Sequence, residues 1–306
     1  MLKRKSTKYI FSVLLTVITF IAKAQPALTY TQYMDNLTPI NPAASLTRTD
    51  GTANIMARNQ WIGIKGSPIL FLFNGSVPLK SINASAGIIA SDNELGVEQA
   101  TEFNGFFAKA IQLNETLNLG VSLNAGFRYY TSDYASLDPN DPAIQTDVRE
   151  FKPNVGFGVM LYSDDYFVGL SLPQLTIRNL GNGSLLDNNN FRNHYYLSAG
   201  FSTQLDEDFK LKPATLLYYS RGVPFTADVS SKLYIKETLG LGVNYRTTKE
   251  VAALFSLDLD LFHVGYSYQF GTSAANIGQL SNATHEIMLT FIFGKGHQVP
   301  ISPGNR

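Results

Sequence analysis

The sequence predicts an all-β fold: a transmembrane, antiparallel, up-and-down β-barrel of about fourteen strands with a short N-terminal leader. The first of three observations is the stretch from Thr238 to Gly271, which alternates through three limbs. Leu239, Leu241, Val243 and Tyr245 share one parity against Gly240, Gly242, Asn244 and Arg246. Phe255, Leu257, Leu259 and Leu261 then oppose Ser256, Asp258 and Asp260, and Phe262, Val264, Tyr266, Tyr268 and Phe270 oppose His263, Gly265, Ser267, Gln269 and Gly271. A period of two means a strand with one apolar and one polar face. The second observation is composition. The chain has 20 Phe, 16 Tyr and 24 Gly but a mean hydropathy of only −0.03, as two-faced strands give when their faces cancel. Third, no segment beyond the N-terminus offers the roughly 18 consecutive apolar residues of a spanning helix.

The chain begins with Lys3, Arg4, Lys5 and Lys8, an apolar run from Tyr9 to Ile21, and Ala22-Lys23-Ala24 before Gln25. A basic region, an apolar core and an A-x-A site predict a secretory signal peptide over residues 1–24. Five of the 24 Lys and Arg and none of the 24 acids lie in that segment. The remainder then carries 19 basic against 24 acidic residues, a net charge of −5 that offers nothing for nucleic acid. With no Cys, a disulfide scaffold and a thiolate metal site are excluded.

Residues 25–52 lack sustained periodicity. Tyr30, Tyr33, Pro39 and the Ile40-Asn41-Pro42 turn suggest an ordered leader that caps or plugs something. The barrel is expected over residues 53–294. Its strands fall near 53–62, 69–79, 82–91, 97–111, 115–131, 151–163, 165–175, 191–205, 208–220, 224–236, 238–248, 250–260, 261–271 and 284–294. The connections Leu113–Glu115, Ser163–Asp165, Asp206–Asp208 and Thr247–Lys249 are short and polar, which suits periplasmic turns. Asp133–Arg149, Thr176–Asn190 and Thr272–Asn282 suit extracellular loops. Residues 295–306 form a Pro- and Gly-containing tail, expected to be mobile or bound on the periplasmic side.

Catalysis needs convergent groups. Asp258, Asp260 and His263 are the one acid–base cluster the strand parity brings together, and no G-x-S-x-G motif accompanies them. A hydrated network inside the barrel accounts for them, so the chain is not expected to be an enzyme and no cofactor is implied. Arg58, Arg128, Arg178 and Arg246 are expected to pair with acids inside the barrel or at its rim. Gly105, Gly120, Gly126, Gly156, Gly158, Gly240 and Gly242 fall mostly on the inward parity, where they let the leader or bulky neighbours approach the wall. Trp61, the only Trp, sits among Arg58, Gln60 and Lys65, a composition that fits either an aromatic belt or a contact surface.

Several pieces, taken in order, resemble one family. They are Tyr33-Met34 with Asn41-Pro42-Ala43, the segment Arg58-Asn59-Gln60-Trp61-Ile62-Gly63-Ile64-Lys65-Gly66-Ser67-Pro68, Tyr166-Phe167-Val168-Gly169-Leu170-Ser171-Leu172-Pro173, Gly265–Tyr268 and Thr284–Leu289. This set resembles the PorP/SprF outer-membrane proteins of Bacteroidota and departs from them at Asp35–Thr38. The resemblance implies an accessory component of the type IX secretion and gliding apparatus in the cell outer membrane. Its implied partners are the secretion machinery, the C-terminal region of a large secreted surface protein, and outer-membrane lipid. Tyr33, Asn41, Pro42, Arg58, Gln60, Trp61 and Lys65 are the expected partner-binding residues. The competing reading is a passive diffusion porin or small-solute transporter, which predicts an open, water-filled lumen.

Overall fold

A computed structural model describes residues 28–137, 147–176, 193–221, 223–270 and 283–294. The expected signal peptide, the C-terminal tail and Arg178 lie outside the described residues. The strands are β1 (Gly51–Asn59), β2 (Ile69–Leu79), β3 (Ala84–Leu95), β4 (Glu98–Gln112), β5 (Asn118–Ser132), β6 (Val148–Tyr162) and β7 (Tyr166–Thr176). They continue as β8 (His194–Phe201, resumed after Ser202 by Thr203–Gln204), β9 (Phe209–Ser220), β10 (Thr226–Ile235), β11 (Leu239–Arg246), β12 (Glu250–Asp258), β13 (Phe262–Phe270) and β14 (Thr284–Phe293). Both pieces of β8 pair with β9, so they form one crossing and the described strands number fourteen.

Every strand pairs antiparallel with its neighbours in sequence, and β14 returns to β1 from Gly51↔Phe293 to Asn59↔His285. The sheet therefore closes and leaves no strand edge unpaired, the condition for a sheet to cross a bilayer. Burial is inverted relative to a soluble protein. Leu123, Val243, Phe151, Ile287 and Ile55 are exposed on the outside, whereas Asn54, Asn74, Glu102, Asp228, Lys232 and Glu286 are buried inside. Lipid accounts for the first set and the lumen for the second. Where β6 meets β7 the register shifts between Val155 and Phe157. There Asn124 Nδ2, on the neighbouring β5, donates to the Pro173 carbonyl at 2.9 Å.

The two rims differ. One carries the connections 80–83, 113–117, 163–165, 205–208, 236–238 and 259–261, together with the start of β1 and the end of β14. The other carries 60–68, 96–97 and 247–249, together with the strand ends at Ser132, Val148, Thr176, His194, Ser220, Thr226, Phe270 and Thr284. Short turns face the periplasm in such barrels and long loops face the exterior, which sets the orientation. Three of the four turns expected on the periplasmic side lie there. Thr247–Lys249 does not: it joins β11 to β12 on the exterior rim. Each antiparallel crossing reverses direction, so the side a turn occupies follows from the count of crossings rather than from its length.

Candidate functional site in the barrel lumen

The lumen is occupied by residues 28–47, and the Thr29–Thr31, Tyr33 and Ile40–Ser45 positions are buried there. Their course is set by contacts that run from the exterior rim downward. Leu28 O accepts from Tyr196 Oη at 3.1 Å, two residues into β8 from the exterior rim. Thr29 O accepts from the Arg58 guanidinium near the exterior end of β1. Glu286, equally close to that rim on β14, receives Thr31 N at 2.8 Å, Thr31 Oγ1 at 2.9 Å and Gln32 N at 3.2 Å, and pairs with Arg58 Nε at 3.1 Å. Midway down, Asn36 Nδ2 donates to Asn74 Oδ1 at 2.7 Å and Asn54 Oδ1 at 2.9 Å. Lower still, Asp35 pairs with Lys232, Tyr234 Oη donates to it at 3.3 Å, and His263 Nε2 faces it at 3.7 Å. The segment thus runs from the exterior end toward the periplasmic rim, where Asp50 leads into β1.

The lower half is shaped by Asn41. Its Oδ1 accepts from Ala43 N at 3.1 Å and caps a short 3-10 helix, Pro42–Thr47, with Pro42 in the first turn where no N–H is needed. Its Nδ2 donates to Val159 O at 3.1 Å, and Ser171 Oγ donates to Ile40 O at 2.7 Å. Two glycines make the slot: a Cβ on Gly158 would lie 2.2 Å from Asn41 Oδ1, and one on Gly169 would lie 2.7 Å from its Nδ2. Gly120 and Gly265 do the same for Leu46 and Gln32, at 2.9 and 2.1 Å. Gly126, Gly156, Gly240 and Gly242 are instead crowded by wall atoms, and Gly105 points outward with nothing within 4 Å.

Apolar contacts complete the packing. Tyr30, Tyr33 and Ile40 join Met56, Leu72, Phe106, Leu216 and Met288, while Ala43 and Ala44 pack on Met160 and Tyr162. Full burial of each large side chain contributes about 1.5–3 kcal/mol, so several together hold the leader firmly. The Tyr33 hydroxyl reaches Ala214 O at 3.0 Å and Asp228 O at 3.3 Å, and the Tyr30 hydroxyl donates to Asn36 O at 2.5 Å. Burial pushes both phenols well above their ordinary value, so they remain neutral donors. Burial also acts to raise the Asp35 carboxyl, but the Lys232 ammonium and His263 outweigh it and hold Asp35 well below the usual carboxylate range.

The expected partner-binding residues divide into two groups. Tyr33, Asn41, Pro42 and Arg58 are all buried where the leader meets the wall. Gln60 is half-buried, and with its amide oxygen turned to the guanidinium it accepts from Arg58 Nη2 at 2.6 Å. Trp61, half-buried, and Lys65, exposed, lie on the 60–68 connection at the exterior rim. Trp61 adopts φ 50°, a left-handed conformation uncommon for so bulky a residue. Arg128 pairs with Glu102 at 2.8 Å, and Arg246 with Asp228 at 2.7 Å and Glu250 at 3.1 Å, as expected of inward arginines. Asp258 meets His263 Nδ1 at 2.6 Å, whereas Asp260 is exposed on the 259–261 turn. The residues that sequence reasoning missed are Glu286, Asp35, Lys232 and Asn36. Glu286 and Lys232 were visible as charges on the inward parity of their strands, and Asp35 and Asn36 fall in the stretch that departs from the family pattern.

A closed antiparallel barrel with an apolar outside, a polar inside and a leader threaded through its lumen defines an outer-membrane protein. The family model described as "Type IX secretion system membrane protein PorP/SprF" matches residues 22–291, and the chain belongs to that family. No match is found among curated proteins. Among solved structures, the deltaS2 mutant of the TodX monoaromatic hydrocarbon channel aligns with a TM-score of 0.50 at 10% identity, over 85% of this chain and 94% of that one. The Acinetobacter baumannii outer membrane protein Omp33 aligns with a TM-score of 0.48 at 6% identity, over 80% and 99%. The likeness to TodX is one of fold alone.

Proposed function

We propose that this barrel is a plugged, non-catalytic component of type IX secretion that binds specific cell-surface proteins and helps secrete or anchor them. The observation that carries the reading is the leader in the lumen. Buried ion pairs and a glycine-lined slot hold it along the path a porin would leave for solute. A barrel filled in this way serves as a platform. Its exterior rim presents the longer connections and the Trp61–Lys65 segment, which we assign to contact with secretion partners and the C-terminal region of a cargo. Tyr33, Asn41, Pro42 and Arg58 serve that role indirectly, by fixing the leader. Asp258 and His263 belong to the network around Asp35, which supports a structural role for them rather than acid–base chemistry.

The test pairs co-purification from detergent-solubilised outer membranes with single-channel conductance of the purified protein. Recovery of secretion-machine subunits or a large surface protein, with no steady conductance, is the expected result. Stable ohmic channels and an empty pull-down would show a diffusion porin instead.

A further inference from the structure

Between the leader and the wall, a recess of about 330 Å³ opens at the periplasmic rim. Its inner end is the network around Asp35 and His263, and Arg48, Lys210, Lys212 and Glu237 surround its mouth. The acids there are already matched. Asp35 pairs with Lys232, Asp258 with His263, and Glu237 with Lys210 at 3.1 Å. Two cations are left over. Lys212 has its ammonium 4.2 Å above the Tyr234 ring, and neither it nor Arg48 has a carboxylate within 4.0 Å among the described residues. Deeper in, His263 Nε2 lies 3.7 Å from Asp35 Oδ2, beyond hydrogen-bond range.

We propose that this recess is a docking site for a carboxylate side chain on an acidic segment of a periplasmic protein. The Tyr234 face holds Lys212 where a salt bridge would otherwise hold it, so its ammonium keeps N–H donors for an incoming acceptor. A singly charged carboxylate is the anion that suits the site, because Asp35, Asp258 and Glu237 lie in the same lining and repel a phosphate's second charge. Met34 and Ile292 supply apolar wall for the stem that carries the carboxylate. The recess opens within the lumen mouth, away from the lipid-facing surface, which separates it from a phospholipid headgroup site.

The proposal rests on the plugged-barrel reading, since Met34, Asp35 and Arg48 belong to the leader. The full-length barrel in lipid nanodiscs is titrated with a fluorescent hexapeptide carrying a single Glu and with its Gln counterpart, by anisotropy. The Glu peptide is expected to bind and the Gln peptide not. Arg48→Gln and Lys212→Gln should each weaken binding about tenfold, the scale of one charge-assisted hydrogen bond, while the variants keep the wild-type heat-modifiable migration. Equal binding of both peptides, wild-type affinity in the double variant, or displacement by equimolar inorganic phosphate would overturn it. Conductance of the same samples separates the two readings. A conducting wild-type barrel defeats the plug, whereas a silent barrel that ignores the Glu peptide defeats only the recess.

Discussion

Among the described residues, Glu286 makes more hydrogen bonds to the leader than any other wall residue. Its side chain is fully buried, and one carboxylate answers two backbone N–H groups, a hydroxyl and the Arg58 guanidinium. Charge-assisted bonds of this kind are about twice as strong as neutral ones, and they offset the desolvation of both ions. Glu286→Gln keeps the shape but leaves Arg58 charged and unmatched, a loss of about 3–5 kcal/mol when one partner of a buried pair is removed. The urea midpoint for loss of heat-modifiable migration should fall accordingly. Adding Arg58→Met should recover part of the loss, a non-additive cycle that places the two residues in one interaction. Asp35 gives a pH signature. Its carboxyl is held below the ordinary value of 3.8, so the folded state favours the ionised form. Stability from this group is full above about pH 5 and declines as the pH falls further, because the unfolded chain takes up the proton first. Lys232, Tyr234 and His263 are the titratable groups facing it. The difference in urea midpoint between wild type and Asp35→Asn should shrink progressively as the pH falls from about 5.

At the scale of elements, the leader separates a barrel from a pore. Deleting residues 28–47 removes the buried tyrosines and Ile40 and leaves Glu286, Arg58, Lys232 and His263 lining an emptied lumen. The deletion protein should insert, keep its outward apolar face and show stable single-channel conductance where the intact protein shows none; a silent deletion variant would mean the wall itself collapses inward. The strands were legible because alternation is local: β5 and β11 follow the expected parity residue by residue, and most strand limits moved by only a few positions. The leader's contacts were not legible, because residues 28–47 bind partners up to 255 positions away in the sequence and carry no period of their own. The inward glycines were a partial signal. Gly120 and Gly158 admit the leader, but the sequence could not distinguish them from Gly126 and Gly156, which admit only the wall. The 3-10 helix at Pro42–Thr47 was missed for a related reason, since its cap, Asn41, had been read as a turn residue.

For the whole molecule, the direction of threading is the feature that most constrains assembly. Leu28 lies near the exterior end and Arg48 at the periplasmic mouth, so the leader descends through the lumen before the first strand begins. Closure of the β14–β1 seam and docking of the leader are coupled, because Arg58 and Glu286 lie on those two strands and both hold Thr29–Gln32. Because the same two residues line the seam and hold the leader, the seam and the leader should form together. The absence of native Cys makes the orientation directly measurable. Leu28→Cys, a half-buried position, should react on intact cells with a small membrane-impermeant maleimide. Arg48→Cys, exposed at the other mouth, should react only after the outer membrane is permeabilised. Reversal of that pattern would invert the barrel, put the recess of Lys212 outside the cell and move Trp61 to the periplasm. Labelling of both sites on intact cells would instead mean that reagent passes through the lumen, and the leader would then not be a plug.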